Sequence, residues 1–216
     1  MEVKRWVGGT VSGCNPHPQW SDAFDLNQWS SIILVMFEFQ SFSTSTHSAQ
    51  EVVAALNLEP LNREGGFFRR TAEAELWVRP QDASEDSRAY SVIYALFTPD
   101  GFSAMHRLTT DEVWCWHAGD SLESLRLAAD GSGEVVRLGL NVNSGERPQD
   151  VIAAGVWQGT RLAEGGRWAL VSCIMAPEFR WQDFTLGERD ELVAHYPNWT
   201  NEIAGLTRVS PPAGKL

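Results

Sequence analysis

The chain has 216 residues and a formal charge of −11, from 17 Lys and Arg against 28 Asp and Glu. That acidity, with no Lys/Arg-rich run, argues against nucleic acid and against an anionic membrane as partners, because both are held by basic surface. Apolar content of 43% and charged content of 21% belong to a folded domain rather than a disordered chain, and the aromatic content of 11%, with 10 tryptophans, suits a barrel interior or a ligand cavity.

Residues 1–48 are rich in Ser, Thr, Asn, Pro and Trp and read as an extension, with one strand-like run at Ile32–Phe39 that is a candidate edge strand. The opening residues lack the apolar core of a signal peptide, and "IILVMF" is too short to span a bilayer. Cys14, Cys115 and Cys173 follow no disulfide spacing, so the expected compartment is reducing and cytoplasmic. Ser48 opens a predicted helix in "SAQEVVAALNL", with Glu51 as its capping-box partner and Val52, Val53, Leu56 and Leu58 on one face.

From Gly65 to Met175 the pattern is that of strands. "TAEAELWV" alternates, with Ala72, Ala74 and Leu76 on one side. "YSVIYALF", "SAMHRL", "EVWCWH", "SLESLRL", "GEVVRLGL", "DVIAAGVWQGT" and "RWALVSCIM" follow, separated by turn segments such as "TPDGF", "ADGSG" and "NSGERP". Eight or more short strands with little helix between them predict an all-β antiparallel sandwich or barrel. The tail turns helical in "LGERDELVAHYP" and "NEIAGLTR", divided by Pro197. Residues 49–186 are therefore assigned to the β domain and 187–216 to a helical tail.

Four blocks in order, "EPLNREGGFFRR", "AYSVIYALFTPDGFSAMHRLTTDEVWCWHAGDSLESL", "AAGVWQGTRL" and "ALVSCIMAPEF", resemble a subgroup of the cupin superfamily long carried as a domain of unknown function and compared with sugar epimerases. The tail "ERDELVAHYPNWTNEIAGLTR" is similar to that subgroup as well. The resemblance covers about residues 49–208. It implies a jelly-roll barrel, usually dimeric, with a small-molecule cavity inside; it implies no settled reaction.

Many cupins hold a divalent metal through two histidine-containing motifs, the first ending E-x(6)-G. Glu112-x(6)-Gly119 fits that ending, but His106 stands at least one residue from the expected histidine position. In "AAGVWQGTRL" Gly155 is kept, while Gln158 replaces the histidine, Ala153 the proline and Leu162 the asparagine. A neutral amide is a poor substitute for imidazole, so no metal and no other cofactor is expected.

With Glu112 facing inward, as the resemblance implies, alternation puts Trp114 and Trp116 inside and turns Val113, Cys115 and His117 outward. The expected catalytic pair is His106 as general base and Glu112 as acid or as the group that orients His106. Expected substrate contacts are Arg69, as an anion grip following "EGGFF"; Tyr94, in parity with Val92 and Leu96; the flat faces of Trp114 and Trp157; and Gln158. The leading functional expectation is a metal-independent isomerase or epimerase acting on a sugar-like or keto-type molecule. The alternatives are a non-catalytic small-molecule-binding cupin and a metal-dependent oxygenase or isomerase. A homodimer is expected, because open sheet edges invite a second copy.

Overall fold

The computed structural model describes residues 42–62, 64–80 and 85–208. Cys14 and the strand-like run at Ile32–Phe39 lie outside the described residues.

Two antiparallel sheets form a jelly-roll sandwich. The first runs in the order β1 (Glu59–Pro60), β2 (Phe67–Glu73), β5 (Ser91–Phe97), β12 (Ala169–Met175), β7 (Glu112–Gly119), β10 (Gln149–Ile152). The second runs β13 (Phe184–Leu186), β6 (Ser103–Leu108), β11 (Trp157–Leu162), β8 (Leu122–Leu127), β9 (Gly133–Leu138). A small hairpin, β3 (Trp77–Val78) with β4 (Ser87–Arg88), stands apart from both. The inner faces share one core: Ala95, Phe97, Trp114 and Val171 from the first sheet pack with Leu122, Leu138 and Leu162 from the second.

Helices cover both outer faces. α1 (Ala49–Leu56) begins at Ser48, whose side chain accepts from the Glu51 N–H while the Glu51 carboxylate accepts from the Ser48 N–H, completing the predicted capping box. Its buried Val52, with Leu58 just beyond the helix, packs on Leu96, Ala118, Trp168 and Leu170, the outer surface of the first sheet. α2 (Arg189–His195) and α3 (Thr200–Gly205) lay Leu192, Tyr196 and Ile203 on Met105, Leu125 and Leu127, the outer surface of the second. Among the described residues no helix is long and apolar enough to cross a membrane.

Two predicted strands differ in outline. "TAEAELWV" is not continuous: β2 starts earlier, at Phe67, its register with β5 shifts between Arg70 and Ala72, and Leu76 and Trp77 then stand 66% and 55% exposed. A bulge of this kind breaks the two-residue period on which the sequence expectation relied. "DVIAAGVWQGT" divides into β10 and β11 at a turn where Gly155 takes φ +82, a conformation that suits glycine.

Candidate functional site

A cavity of about 350 Å³ opens between the sheets. Its deep end is formed by His106, Glu112, Trp114 and Cys173, all 8% exposed or less. An apolar band of Ile93, Ala95, Phe97, Leu108 and Met175 surrounds the middle. The more exposed end carries Phe68 and Arg70 from β2, and Phe179, Arg180 and Trp181 from the segment between β12 and β13. A wider surface groove of about 910 Å³ beside α1, lined by Thr44, His47, Gln50 and Arg167, contains none of the residues expected to act.

Three predicted residues meet at the deep end through strand register. His106 on β6 lies opposite Gln158 on β11, so the two side chains leave the second sheet on the same face. From there Gln158 Nε2 donates to Glu112 Oε2 at 2.8 Å, on β7 of the opposing sheet. His106 Nδ1 lies 2.8 Å from the Ala104 carbonyl oxygen. A carbonyl only accepts, so Nδ1 carries the proton, and in the neutral ring Nε2 holds the lone pair. Nε2 has no hydrogen-bond partner among the described residues. Phe184 stacks on the ring, with centroids 5.0 Å apart, and fixes its plane.

Burial raises the Glu112 carboxyl above the ordinary carboxylate range; the nearby His106 pulls it back and Glu64 pushes it further up. The Trp114 indole N–H stands close enough to favour the ionised carboxylate, yet it makes no hydrogen bond of good geometry and is left without a partner. The buried Gln158 Oε1 also has no partner. Burial, with Glu112 and Glu64 beside it, pushes the Cys173 thiol well above its ordinary value, so it stays protonated and unreactive.

Sequence reasoning gave no role to Glu64. Its Oε1 accepts from Ser103 Oγ at 2.6 Å and lies 4.0 Å from His106 Nδ1, while its own carbonyl accepts from the Ala104 N–H and from Arg208 Nη1. Glu64 sits in a loop before Gly65–Gly66, where no strand period marks direction. Arg70, Phe179, Arg180 and Trp181 were missed as well.

Arg69, Tyr94 and Trp157 are not in the cavity, which corrects their expected placement. Ile93, Ala95 and Phe97 are the inward residues of β5, so Tyr94 points outward with Val92 and Leu96 and packs beside α1. Arg69 pairs with Tyr94 in register and its guanidinium lies over the Tyr94 ring, 5.9 Å from the centroid; Arg70 is the residue that turns inward. Trp157 packs against the C-terminal helices under Arg107, whose guanidinium is 4.7 Å from the ring centroid. In β7 the expected division is present: Glu112 and Trp114 line the cavity, Trp116 packs on the inner core, and His117 is exposed.

Residues 50–187 match the family described as the cupin superfamily (DUF985). The chain belongs to the cupin superfamily. It is similar to a hypothetical protein from Leishmania major, at 29% identity and TM-score 0.70, with 74% of this chain and 99% of that one covered. A protein from Shewanella oneidensis is 33% identical, TM-score 0.69, with 76% and 99% covered. None of the curated proteins matches the sequence.

The donor set of this cupin does not fit a divalent metal of the kind many cupins hold. Among the described residues no three His, Cys, Asp or Glu side chains converge so as to bind an ion. Gln158 turns its N–H₂, not its oxygen, toward Glu112, and the His106 Nδ1 proton is committed to Ala104. That leaves one imidazole nitrogen and two carboxyls, of which Glu112 accepts from Gln158 and Glu64 accepts from Ser103 on the Nδ1 side of the His106 ring, which is not the two-histidine-and-carboxylate set of those cupins.

Proposed function

We propose that this cupin is an isomerase or epimerase that moves a proton next to a carbonyl group, using side chains alone. The observation that carries this reading is that His106, whose Nε2 has no hydrogen-bond partner among the described residues, and Glu112, whose burial favours the protonated form, line one cavity. His106 Nε2 takes the proton from the carbon beside the carbonyl. The C–H electron pair moves into an enol, and the carbonyl oxygen receives the Glu112 proton. Collapse of the enol regenerates both groups. For epimerisation the enol turns over in the cavity, His106 returns its proton to the other face of the carbon, and the enol oxygen gives its proton back to Glu112. For isomerisation of a 2-hydroxy carbonyl compound His106 delivers its proton to the former carbonyl carbon, and the neighbouring hydroxyl gives its proton to Glu112. Glu64, 4.0 Å from Nδ1, stabilises the imidazolium that forms in between.

The test is solvent deuterium incorporation into a panel of nucleotide sugars, sugar phosphates and keto compounds. The native protein is expected to exchange at least one of them, and His106→Asn, shown by circular dichroism to be folded, to lose that exchange. No exchange in the whole panel overturns the reading. A compound that raises the melting temperature yet never exchanges favours instead a cupin that holds its ligand without reacting.

The protein is also proposed to be a homodimer. Val151 on the edge strand β10 is 52% exposed, and in register beside it run Val113, Ile174 and Val92 on the outer face of the first sheet. Such an apolar edge favours pairing with a second copy. Light scattering tests this: a species of 24.0 kDa at micromolar concentration would overturn it.

A further inference from the structure

The charges around the cavity limit what can enter it. Arg70 Nη1 donates to Glu73 at 3.0 Å and lies 4.0 Å from Glu178. Arg180 Nε donates to Asp183 at 2.7 Å, and Arg88 shares Glu73 at 3.4 Å. Among the described residues, each guanidinium that lines the opening is therefore balanced by carboxylate. Deeper in, Glu64 and Glu112 bring two further carboxyl groups beside His106. An anionic substrate would meet paired cations at the rim and acidic groups within, and it would give up its hydration for neither.

The middle of the cavity is equally selective. Ile93, Ala95, Phe97, Leu108 and Met175 offer no hydrogen-bonding side-chain atom beyond the weak Met175 sulfur, and the Ser91 hydroxyl on the same row already accepts from the Phe179 N–H, which leaves little for a ring of hydroxyl groups. Phe97 and Trp114 lie stacked on each other, with centroids 5.7 Å apart and planes 15° from parallel, and make this part of the cavity wall aromatic. At the deep end, among the described residues, Trp114 is 1% exposed and its indole N–H has no hydrogen-bond partner. A carbonyl oxygen at the deep end would satisfy it.

We infer that the cavity takes a small uncharged ketone or aldehyde with an apolar body, its carbonyl at the deep end beside His106, Glu112 and Trp114, rather than a phosphorylated sugar or a keto acid. The fit is argued from the cavity itself; that such a compound is transformed rests on the proton-transfer reading above.

Three probes separate the two claims: phenylacetone, its anionic counterpart phenylpyruvate, and glucose 6-phosphate, each titrated calorimetrically into the full chain. Phenylacetone is expected to bind at least about tenfold more tightly than phenylpyruvate, and glucose 6-phosphate not at all. Equal or tighter binding of either anion overturns the inference. Asp183→Asn, which releases Arg180, is expected to narrow the gap between phenylacetone and phenylpyruvate; an unchanged gap would overturn the argument from paired rim charges. Deuterium exchange is then followed on the same probes against His106→Asn. Binding of phenylacetone without exchange keeps the ligand class and removes the reaction. Exchange of phenylpyruvate or the sugar phosphate, with phenylacetone inert, keeps the reaction and removes the ligand class.

Discussion

Gln158 Nε2 reaches across the gap between the two sheets to donate to Glu112 Oε2 at 2.8 Å, and it is the one side-chain donor that completes a hydrogen bond to this buried carboxyl among the described residues. Replacing Gln158 with Leu keeps the bulk and removes the donor. The carboxyl then has to be buried unsatisfied, so the variant is expected to lose about 1–3 kcal/mol of stability in urea unfolding at neutral pH. Because the Gln158 bond favours the ionised form, the same change should raise the Glu112 pKa further, read from the carboxyl carbon shift in an NMR titration.

Glu112 itself sets a pH dependence. Its folded pKa lies above the ordinary 4.5 because burial disfavours the charge. Between the unfolded and the folded value the native state therefore binds more protons than the unfolded state, and stability falls as pH rises through that window. Glu112→Gln removes the penalty. The variant is expected to gain stability over the native protein as pH is raised above the ordinary carboxylate value, and to show no such gain in acid. A difference that ran the other way would mean the carboxylate is stabilised as an ion.

The sequence was most legible where one face of an element meets water or where a cap declares a boundary. β6 coincides with "SAMHRL", and α1 starts at its capping Ser48. The inward direction of Glu112 and Trp114 was legible because the motif spacing marks Glu112 and alternation along β7 supplies Trp114, while Gln158 was marked by the second motif and His106, off its expected motif position, shares the Gln158 face only through the β6–β11 register. The same reasoning misplaced Tyr94 because β5 is covered on both sides, by the cavity wall and by α1, so its apolar residues carry no sign of direction. Trp157 was misplaced for the parallel reason, since α2 and α3 make the outer face of the second sheet as apolar as the inner one. Glu64 and Arg180 come from loops, where no period exists to be read.

On the outer face, His117 Nε2 and Ser172 Oγ are 2.5 Å apart, and Tyr94 meets the His117 ring edge-on at 6.0 Å. Although His117 keeps one side in solvent, partial desolvation of its ring against these groups lowers its pKa from 6.5, which favours the neutral ring at pH 7 with the serine hydroxyl donating to it. The fold loses this contribution to stability as pH falls below the ordinary histidine value, because the unfolded state then binds the extra proton. An NMR titration of the five histidines should place His117 below 6.5, and His117→Phe should flatten the acid-side loss of stability.

Gly119 closes β7, and its place in the E-x(6)-G spacing has a steric cause. Its φ is +99, and a Cβ there would stand 2.2 Å from the Trp168 carbonyl oxygen and 2.8 Å from Ala169 Cα, both backbone atoms. Neither can yield, because Asp120 N–H donates to that same Trp168 oxygen at 2.8 Å while the Trp168 indole donates to the His47 carbonyl at 2.8 Å, tying the β12 entry to the segment before α1. Gly119→Ala therefore combines an unfavourable backbone conformation with a clash against fixed main chain. It is expected to cost about 3 kcal/mol or more in denaturant unfolding, far beyond the effect of Gly131→Ala, where φ is +88 but nothing lies within 4 Å. Comparable losses at the two positions would mean that backbone conformation alone, and not the approach of β12, demands the glycine.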